Sequence, residues 1–270
     1  GIIALLSAML FPVFQSAREA SRRAVCLQNF QSVQLASNLY LGDYDDRLMP
    51  ANYSATLRTS AGDRTWVQLI LPYATNFSIF RCPSDHGVKN APETTFDQDL
   101  VPGDTYSRYY SASLRSNVGY NFMYLAPAVL AAGGQFMPQP RQFSQASDPS
   151  STLQFIDSVW SLTSRGKPTG GGSWLVVPPC RYYDGSVDSF KATGPSDTVY
   201  TAGYVGWDNS SRSGPKFGGA WPWHSGRMNI CRLDGSAKAV STQELVAGCD
   251  FGTRWTGNIV DFASYIWDLN

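Results

Sequence analysis

The residues able to do chemistry are few and scattered. Five cysteines, Cys26, Cys82, Cys180, Cys231 and Cys249, accompany only two histidines, His86 and His224. No pair has the C-x-x-C spacing with which zinc ribbons place two thiolates on one ion. A mixed Cys/His site would need ligands from distant segments, so no zinc site is expected. Widely separated cysteines suit long-range disulfides in an oxidising compartment, with one thiol left over. Five buried thiols in a cytosolic protein fit the spacing equally well. A Ser-His-Asp hydrolase can be drawn from His224, Asp234 and one of many serines. The G-x-S-x-G elbow that would expose such a serine is missing from the sequence. Asp234-Gly235 reads better as a hairpin turn, with His224 packed among Trp221 and Trp223 and hydrogen-bonding that hairpin. His224, Asp234 and Gly235 are therefore expected to be structural, with no enzymatic activity and no cofactor. Asn52, Asn76 and Asn209 each begin an Asn-x-Ser triplet, the glycan acceptor pattern that also arises often by chance.

Charge narrows the partners. Lys and Arg total 21, as do Asp and Glu, giving a net charge of zero. A nucleic-acid partner is excluded, because phosphate binding needs a basic surplus or a Lys/Arg run. Charged residues make up 16% of the chain, while 43% are hydrophobic and 13% aromatic, which is ample core material and rules out a disordered chain. The low charge and the many Tyr, Trp, Ser and Gly point to a surface that meets other protein or carbohydrate.

The elements that must position these residues begin with a helix. Residues 1–17, GIIALLSAMLFPVFQSA, carry no charged side chain, and Arg18, Glu19, Arg22 and Arg23 follow at once. The stretch is too short to span a bilayer alone and lacks the basic start of a signal peptide. It reads as the downstream portion of a longer apolar helix. Beyond Pro12, Cys26, Phe30, Val33, Ser37, Tyr40 and Tyr44 recur at steps of four and three, one face of a helix. Val25, Ala36 and Leu39 widen that face, and Gln28, Gln31, Gln34 and Asn38 fill most of the other side. Glu19 and Arg23 form an i, i+4 pair, and Gly42-Asp43 supplies a stop. One helix is expected from Gly1 to Leu41, kinked or loosened at Pro12 and about 60 Å long. An ordinary core helix would not be apolar all round in one half and on one side only in the other. A rod whose apolar half packs in a bundle or membrane, and whose amphipathic half lies under a globular head, explains both. That apolar half includes Ile2, Ile3, Leu5, Leu6, Met9, Leu10, Phe11, Val13 and Phe14.

Four stretches stand out: the helix with its Phe-Pro-Val-Phe, Ala-Arg-Glu and Cys-Leu-x-Asn; Phe80-Arg81-Cys82-Pro83-Ser84-Asp85; Gly119-Tyr120-Asn121 with Thr152-Leu153-Gln154-Phe155-Ile156-Asp157; and His224-Ser225-Gly226 followed by Asp234-Gly235. Together they resemble the bacterial type IV pilin-like proteins, specifically the large pseudopilin-like family with a prepilin-type N-terminus and a C-terminal His-x9-Asp-Gly signature. The family's Phe-Thr-Leu-Ile-Glu start is absent, so numbering is expected to begin inside the mature helix, and the methylated N-terminus that the resemblance implies is not placed on Gly1. The resemblance implies an α+β pilin-like fold, residues 1–41 as helix and 42–270 as one head, with the long helix on an antiparallel sheet. It also implies a Cys26–Cys82 disulfide; Cys231–Cys249 is the expected second bond. Related pseudopilins can bind calcium in C-terminal loops, which makes Asp208, Asp234 and Asp250 candidates, but no D-x-D-x-D-G run supports them and no metal is assigned.

Function follows from the same resemblance. The leading expectation is a structural subunit that polymerises with copies of itself into a helical, extracellular, pilus-like filament, with residues 1–17 at its centre, reaching the cell surface by way of the inner membrane. A pseudopilin of a type II secretion apparatus is the alternative. A secreted carbohydrate-binding module, suggested by eight Trp and 14 Tyr, would not need the apolar rod. In the head, Trp66 to Tyr73 reads as a short helix or turn, residues 84–118 as surface loop, and 165–172 and 206–222 as inserted loops. Strands are expected at 153–157, 174–177, 199–204, 229–233 and 236–240, the last two joined by a two-residue type I′ turn at Asp234-Gly235.

Overall fold

A computed structural model describes residues 1–54, 63–74, 76–85, 109–131, 135–183, 186–187, 218–250 and 257–269. Helix α1 runs from Ile2–Asp43 and continues through Pro12. It stops just past Gly42, and Asp45 and Asp46 then take positive φ and turn the chain back. Its packed face is the one the three-four spacing marks: Cys26, Phe30, Val33, Ala36, Ser37 and Tyr40 are all buried. The boundaries of that face differ from expectation. Val25 and Leu39 are 45% and 49% exposed, and Tyr44 is 50% exposed. Gln34, expected on the polar side, is buried because its amide donates to Gln154 Oε1 at 2.7 Å.

The sheet beneath α1 has four strands, β3 Val118–Tyr120, β6 Leu153–Asp157, β9 Arg227–Arg232 and β10 Ala237–Ser241, ordered β10-β9-β6-β3 with every pairing antiparallel. Smaller antiparallel pairs join β1 (Asn52–Ser54) to β2 (Asp63–Thr65), β4 (Ala128–Ala131) to β5 (Gln135–Pro138), and β7 (Tyr182–Tyr183) to β8 (Ser186–Val187). The fold is thus α+β, a long N-terminal helix packed on an antiparallel sheet. Helix α2, Trp66–Ile70, is started by a capping box between Thr65 and Gln68. It delivers Trp66 to the centre of the core, where the indole lies 5.0 Å from Phe155, 5.7 Å from Tyr120 and 5.9 Å from Phe80 by ring centroids. Its ring N–H donates to the Trp174 carbonyl at 2.6 Å, so the polar handle of a fully buried Trp is satisfied.

Two irregularities place side chains that matter later. The β6–β9 register shifts between Leu153 and Phe155, a bulge at Gln154. The Gln154 amide also donates to Ser37 Oγ at 2.8 Å, so helix and sheet are joined by a polar seam inside an otherwise apolar contact. The second irregularity is the turn before β9. Ser225 and Gly226 both have positive φ, 52° and 84°, and His224 and Arg227 exchange backbone hydrogen bonds of 3.2 and 3.1 Å. Those are the features of a two-residue type I′ turn.

That turn type was expected at Asp234-Gly235, and there the structure differs. Arg232 pairs with Ser236, the Gly235 N–H reaches the Arg232 carbonyl at 3.0 Å, and only Gly235 has positive φ, 93°. The loop therefore has three residues, Leu233, Asp234 and Gly235, the turn-plus-glycine-bulge form. Residues 174–177 form no strand; Leu175 makes one isolated bridge to Tyr120. Part of the expected 84–118 loop is ordered core: Tyr110–Leu114 is helical and Asn117 and Val118 are buried. The candidate strand at 199–204 lies outside the described residues.

Glycine substitutions test this geometry. A Cβ on Gly235 would meet only Asn38 Nδ2, at an ordinary contact distance of 3.8 Å, so Gly235→Ala should cost about 1–2 kcal/mol from positive φ alone. A Cβ on Gly119 would sit 2.4 Å from Val176 Cγ1 and 3.0 Å from the Ser173 carbonyl. Gly119→Ala should cost about 1–3 kcal/mol through overpacking. Urea unfolding of the two variants checks both; an unchanged midpoint for Gly235→Ala would contradict the turn assignment.

Candidate functional site

Four side chains from four separate segments meet where α1 leaves the head. Cys26 comes from the packed face of the helix. Cys82 follows the short 3-10 turn Phe77–Phe80, and its N–H donates to Asn117 Oδ1 at 3.0 Å, which fixes the residue's backbone. Asp157 ends β6, and His224 is held by the type I′ turn before β9. Their ligand atoms all lie within 4.8 Å of one another, and all four residues are 5% exposed or less. Cys26 Sγ is 3.5 Å from Asp157 Oδ1, and His224 Nε2 is 3.6 Å from both Cys82 Sγ and Asp157 Oδ2. The opposite ring nitrogen, Nδ1, is 3.2 Å from Glu19 Oε1, which also accepts from Ser84 Oγ at 2.7 Å. Nδ1 therefore faces an acceptor in Glu19, and Nε2 faces the sulfurs and Asp157.

The charges of the cluster are interdependent. The hydrogen bond from Cys26, together with His224, lowers the Cys82 thiol to about 6 against the opposing effect of burial. Burial alone would push His224 down, but Cys82, Asp157 and Glu19 outweigh it and raise the imidazole to about 9. Burial drives Asp157 well above the usual carboxylate range, and donation to Cys82 raises Cys26. One ladder position is given up to the carboxylate: the Asn229 N–H bonds Asp157 Oδ2 at 2.6 Å. The site can thus hold a negative charge on sulfur beside an imidazolium, and its donor types are those that bind borderline-soft cations.

Several expected placements are corrected. Cys26 and Cys82 are neighbours, as a bridge would require, but both are buried free thiols. Cys249 is bonded to Cys180 rather than to Cys231, which is also a buried thiol, on β9. The His224 imidazole does not hydrogen-bond the hairpin; only its backbone pairs, with Arg227. Asp234 is on the far side of β9, about 20 Å along six strand residues, exposed, and accepts from the Ser236 N–H at 2.8 Å. The two halves of the His-x9-Asp-Gly spacing are therefore not one site. Glu19 pairs with Arg22, at 3.8 Å, rather than with Arg23, and also reaches Ser84 and His224.

Other candidates are dispersed. Asp250 Oδ1 accepts from the Gly257 and Asn258 N–H groups at 3.1 and 3.0 Å, and Asp208 and Asn209 lie outside the described residues. Asn52 is in β1 with its carboxamide oxygen buried, while Asn76 is exposed and accepts from the Ser78 N–H at 2.8 Å. Among the apolar residues of the first turns, Met9, Leu10, Phe11, Val13 and Phe14 are 64–66% exposed; nothing is described of the side chains of Ile2, Ile3, Leu5 and Leu6. No described helix is long and apolar enough to cross a membrane. Asp157 and Glu19 were not expected at any site. Asp157 closes a strand of otherwise uncharged residues, and a carboxylate there is the signal that could have raised it.

A family model described as "Protein of unknown function (DUF1559)" matches residues 15–76, a stretch that takes in the packed half of α1 and α2 and, of the four clustered side chains, Cys26 alone. The match is weakly consistent with a pilin-like role. Neither the curated proteins nor the solved structures contain a match.

The cysteine assignment has a direct check: peptide mapping without reduction should recover Cys180 joined to Cys249 and Cys231 as a thiol. Replacing the bridge with Cys180→Ala and Cys249→Ala opens a loop with a sequence separation of 69, which should cost about 4 kcal/mol by the chain-entropy model. Asp157→Ala should cost about 3–5 kcal/mol in denaturant unfolding, because it leaves the buried imidazole and the Asn229 N–H without their partner. A loss under 1 kcal/mol would show that the carboxylate does not organise the cluster.

Proposed function

We propose that this chain is a structural subunit that polymerises into a pilin-like helical filament at the bacterial cell surface, with the first turns of α1 in the filament core and the head outside. One observation carries the reading. From Ser7 to Ala17 the helix bears no charged side chain, and every side chain on it is exposed. An apolar rod of this size exposed to water is a surface waiting for a partner.

The identity of that partner as a second copy rests on a further pattern. At about 100° per residue, Leu10, Phe14, Val25, Leu35 and Leu39 fall within an arc of about 80°. Val25, Leu35 and Leu39 are 45–61% exposed although they sit on the half of α1 that packs against the head. Apolar side chains thus recur, with Ser21, Gln28 and Ser32 between them, from the free half of the helix along the outer side of the packed half. Equivalent stripes on staggered copies would bury one another, and such a heterologous contact repeats along an axis instead of closing. Before assembly the same apolar segment is held at the inner membrane. Catalysis is no part of this role.

A subunit of a short type II secretion pseudopilus would use the same helix contacts; long fibres favour the pilus reading and their absence the pseudopilus. The test is electron microscopy of purified protein, together with the double variant Leu10→Asp, Phe14→Asp and a form lacking residues 1–17. Helical filaments from the unaltered chain and a monomeric head from the truncated form are expected. Filaments from the truncated form, or a closed dimer from the unaltered chain, would overturn the reading.

A further inference from the structure

We infer that Cys26, Cys82, Asp157 and His224 form a closed, four-coordinate site for a divalent, borderline-soft cation, best matched by zinc, that clamps α1 to the head. The ligand set is two thiolates, one imidazole and one carboxylate, each a recognised zinc donor. Tetrahedral coordination at ordinary zinc distances would put neighbouring S, N and O donors about 3.3–3.8 Å apart. Two separations among the proposed ligand atoms, Cys26 Sγ to Asp157 Oδ1 at 3.5 Å and Cys82 Sγ to His224 Nε2 at 3.6 Å, already match those edges. No ligand would have to change segment or turn out of the core.

The surroundings fit as well. Metal-bound histidines characteristically donate their other ring N–H to a carboxylate, which fixes the tautomer and strengthens the ligand. Glu19 does this at Nδ1, at 3.2 Å, and is itself held by Ser84. Asp157 uses Oδ2 for the Asn229 N–H, and its Oδ1 faces the Cys26 thiol at 3.5 Å, so that loss of the thiol proton on metal binding would leave both Sγ and Oδ1 to the ion. The Asn229 carboxamide is buried beside Cys26 with both polar atoms lacking a hydrogen-bond partner; a metal-bound thiolate would give its N–H an acceptor. A dication also offsets the negative charge of two thiolates and a carboxylate that burial makes costly. Four protein ligands with no open position and almost no exposure mark the site as structural rather than catalytic.

This inference is independent of filament assembly, because its readouts are metal content and spectroscopy on the soluble or dissociated chain. Protein purified with thiols kept reduced, stripped with chelator and titrated with cobalt(II) should bind one equivalent. It should then show an intense sulfur-to-cobalt charge-transfer absorption and the strong visible bands of tetrahedral cobalt, all displaced by zinc. His224→Ala and the double variant Cys26→Ala, Cys82→Ala should lose the spectrum, whereas Cys231→Ala, which removes a buried thiol outside the site, should keep it. Glu19→Gln should retain the spectrum but bind about 10–100-fold more weakly, a loss that a purely structural role for Glu19 would not produce in a folded chain. Absence of stoichiometric binding by the unaltered, fully reduced protein would overturn the proposal. So would a Cys26–Cys82 disulfide in protein isolated without reductant or chelator, or an unchanged spectrum in His224→Ala.

Discussion

The organisation of this molecule depends on where it can keep the Asp157 carboxylate. The residue has no exposure at all, and a carboxylate in that position is costly unless donors surround it. Each donor comes from a different part of the chain. Asn229 supplies a backbone N–H from β9 and Cys26 a thiol from α1, while the His224 imidazole, from the turn that starts β9, lies 3.6 Å away as a charge partner. Meeting one group's needs therefore fixes the end of β6 against β9 and sets where the helix crosses them.

The helix itself is positioned by few but directional contacts. Apolar burial of Phe30, Val33 and Tyr40 holds α1 to the sheet, each worth about 1.5–3 kcal/mol, yet such contacts tolerate sliding. The Gln34–Gln154–Ser37 seam does not. A slip of one helical turn, about 5.4 Å, would leave these amides buried without partners, at about 1–3 kcal/mol each. It would also carry Cys26 away from Asp157 and Glu19 away from His224. The bulge at Gln154 is what aims that side chain at the helix, so an irregularity in the sheet sets the register of the rod.

What was legible in the sequence was local in origin. The packed face of α1 follows from a 3.6-residue period, and the β9–β10 hairpin from alternation around Asp234-Gly235; both depend on neighbours along the chain. The turn type was missed because Asp-Gly serves a two-residue loop and a three-residue loop with a glycine bulge equally well, and only pairing of Arg232 with Ser236 decides between them. Residues 117–120 were hidden for another reason. β3 is three residues long with Gly119 at its middle, and its burial comes from the close approach of Val176 and Ser173. The site was the least legible part. Its four donors come from a helix, a loop, a strand end and a turn, and nothing in their individual spacing links them. The His224 and Asp234 pairing that spacing did suggest joins opposite ends of one strand.

The two faces of α1 also resolve a conflict that a single helix serving two roles would otherwise have. Cys26, Phe30, Val33 and Ser37 are committed to the head, and with Glu19 they share one side of the helix. Leu10, Phe14, Val25, Leu35 and Leu39 lie on the other side and remain exposed. Binding on the outer stripe therefore removes nothing from the inner contact, and the two can add. The polar cluster sits at the boundary, at the last point where the helix is held before it runs free. A bending load between rod and head falls first on Glu19 and Cys26, and from there passes through His224 and Asp157 into the two central strands. The directional hydrogen bonds at this junction, from the Asn229 N–H to Asp157 and between His224 and Glu19, resist that load better than apolar packing would, because their energy falls steeply once donor and acceptor are misaligned.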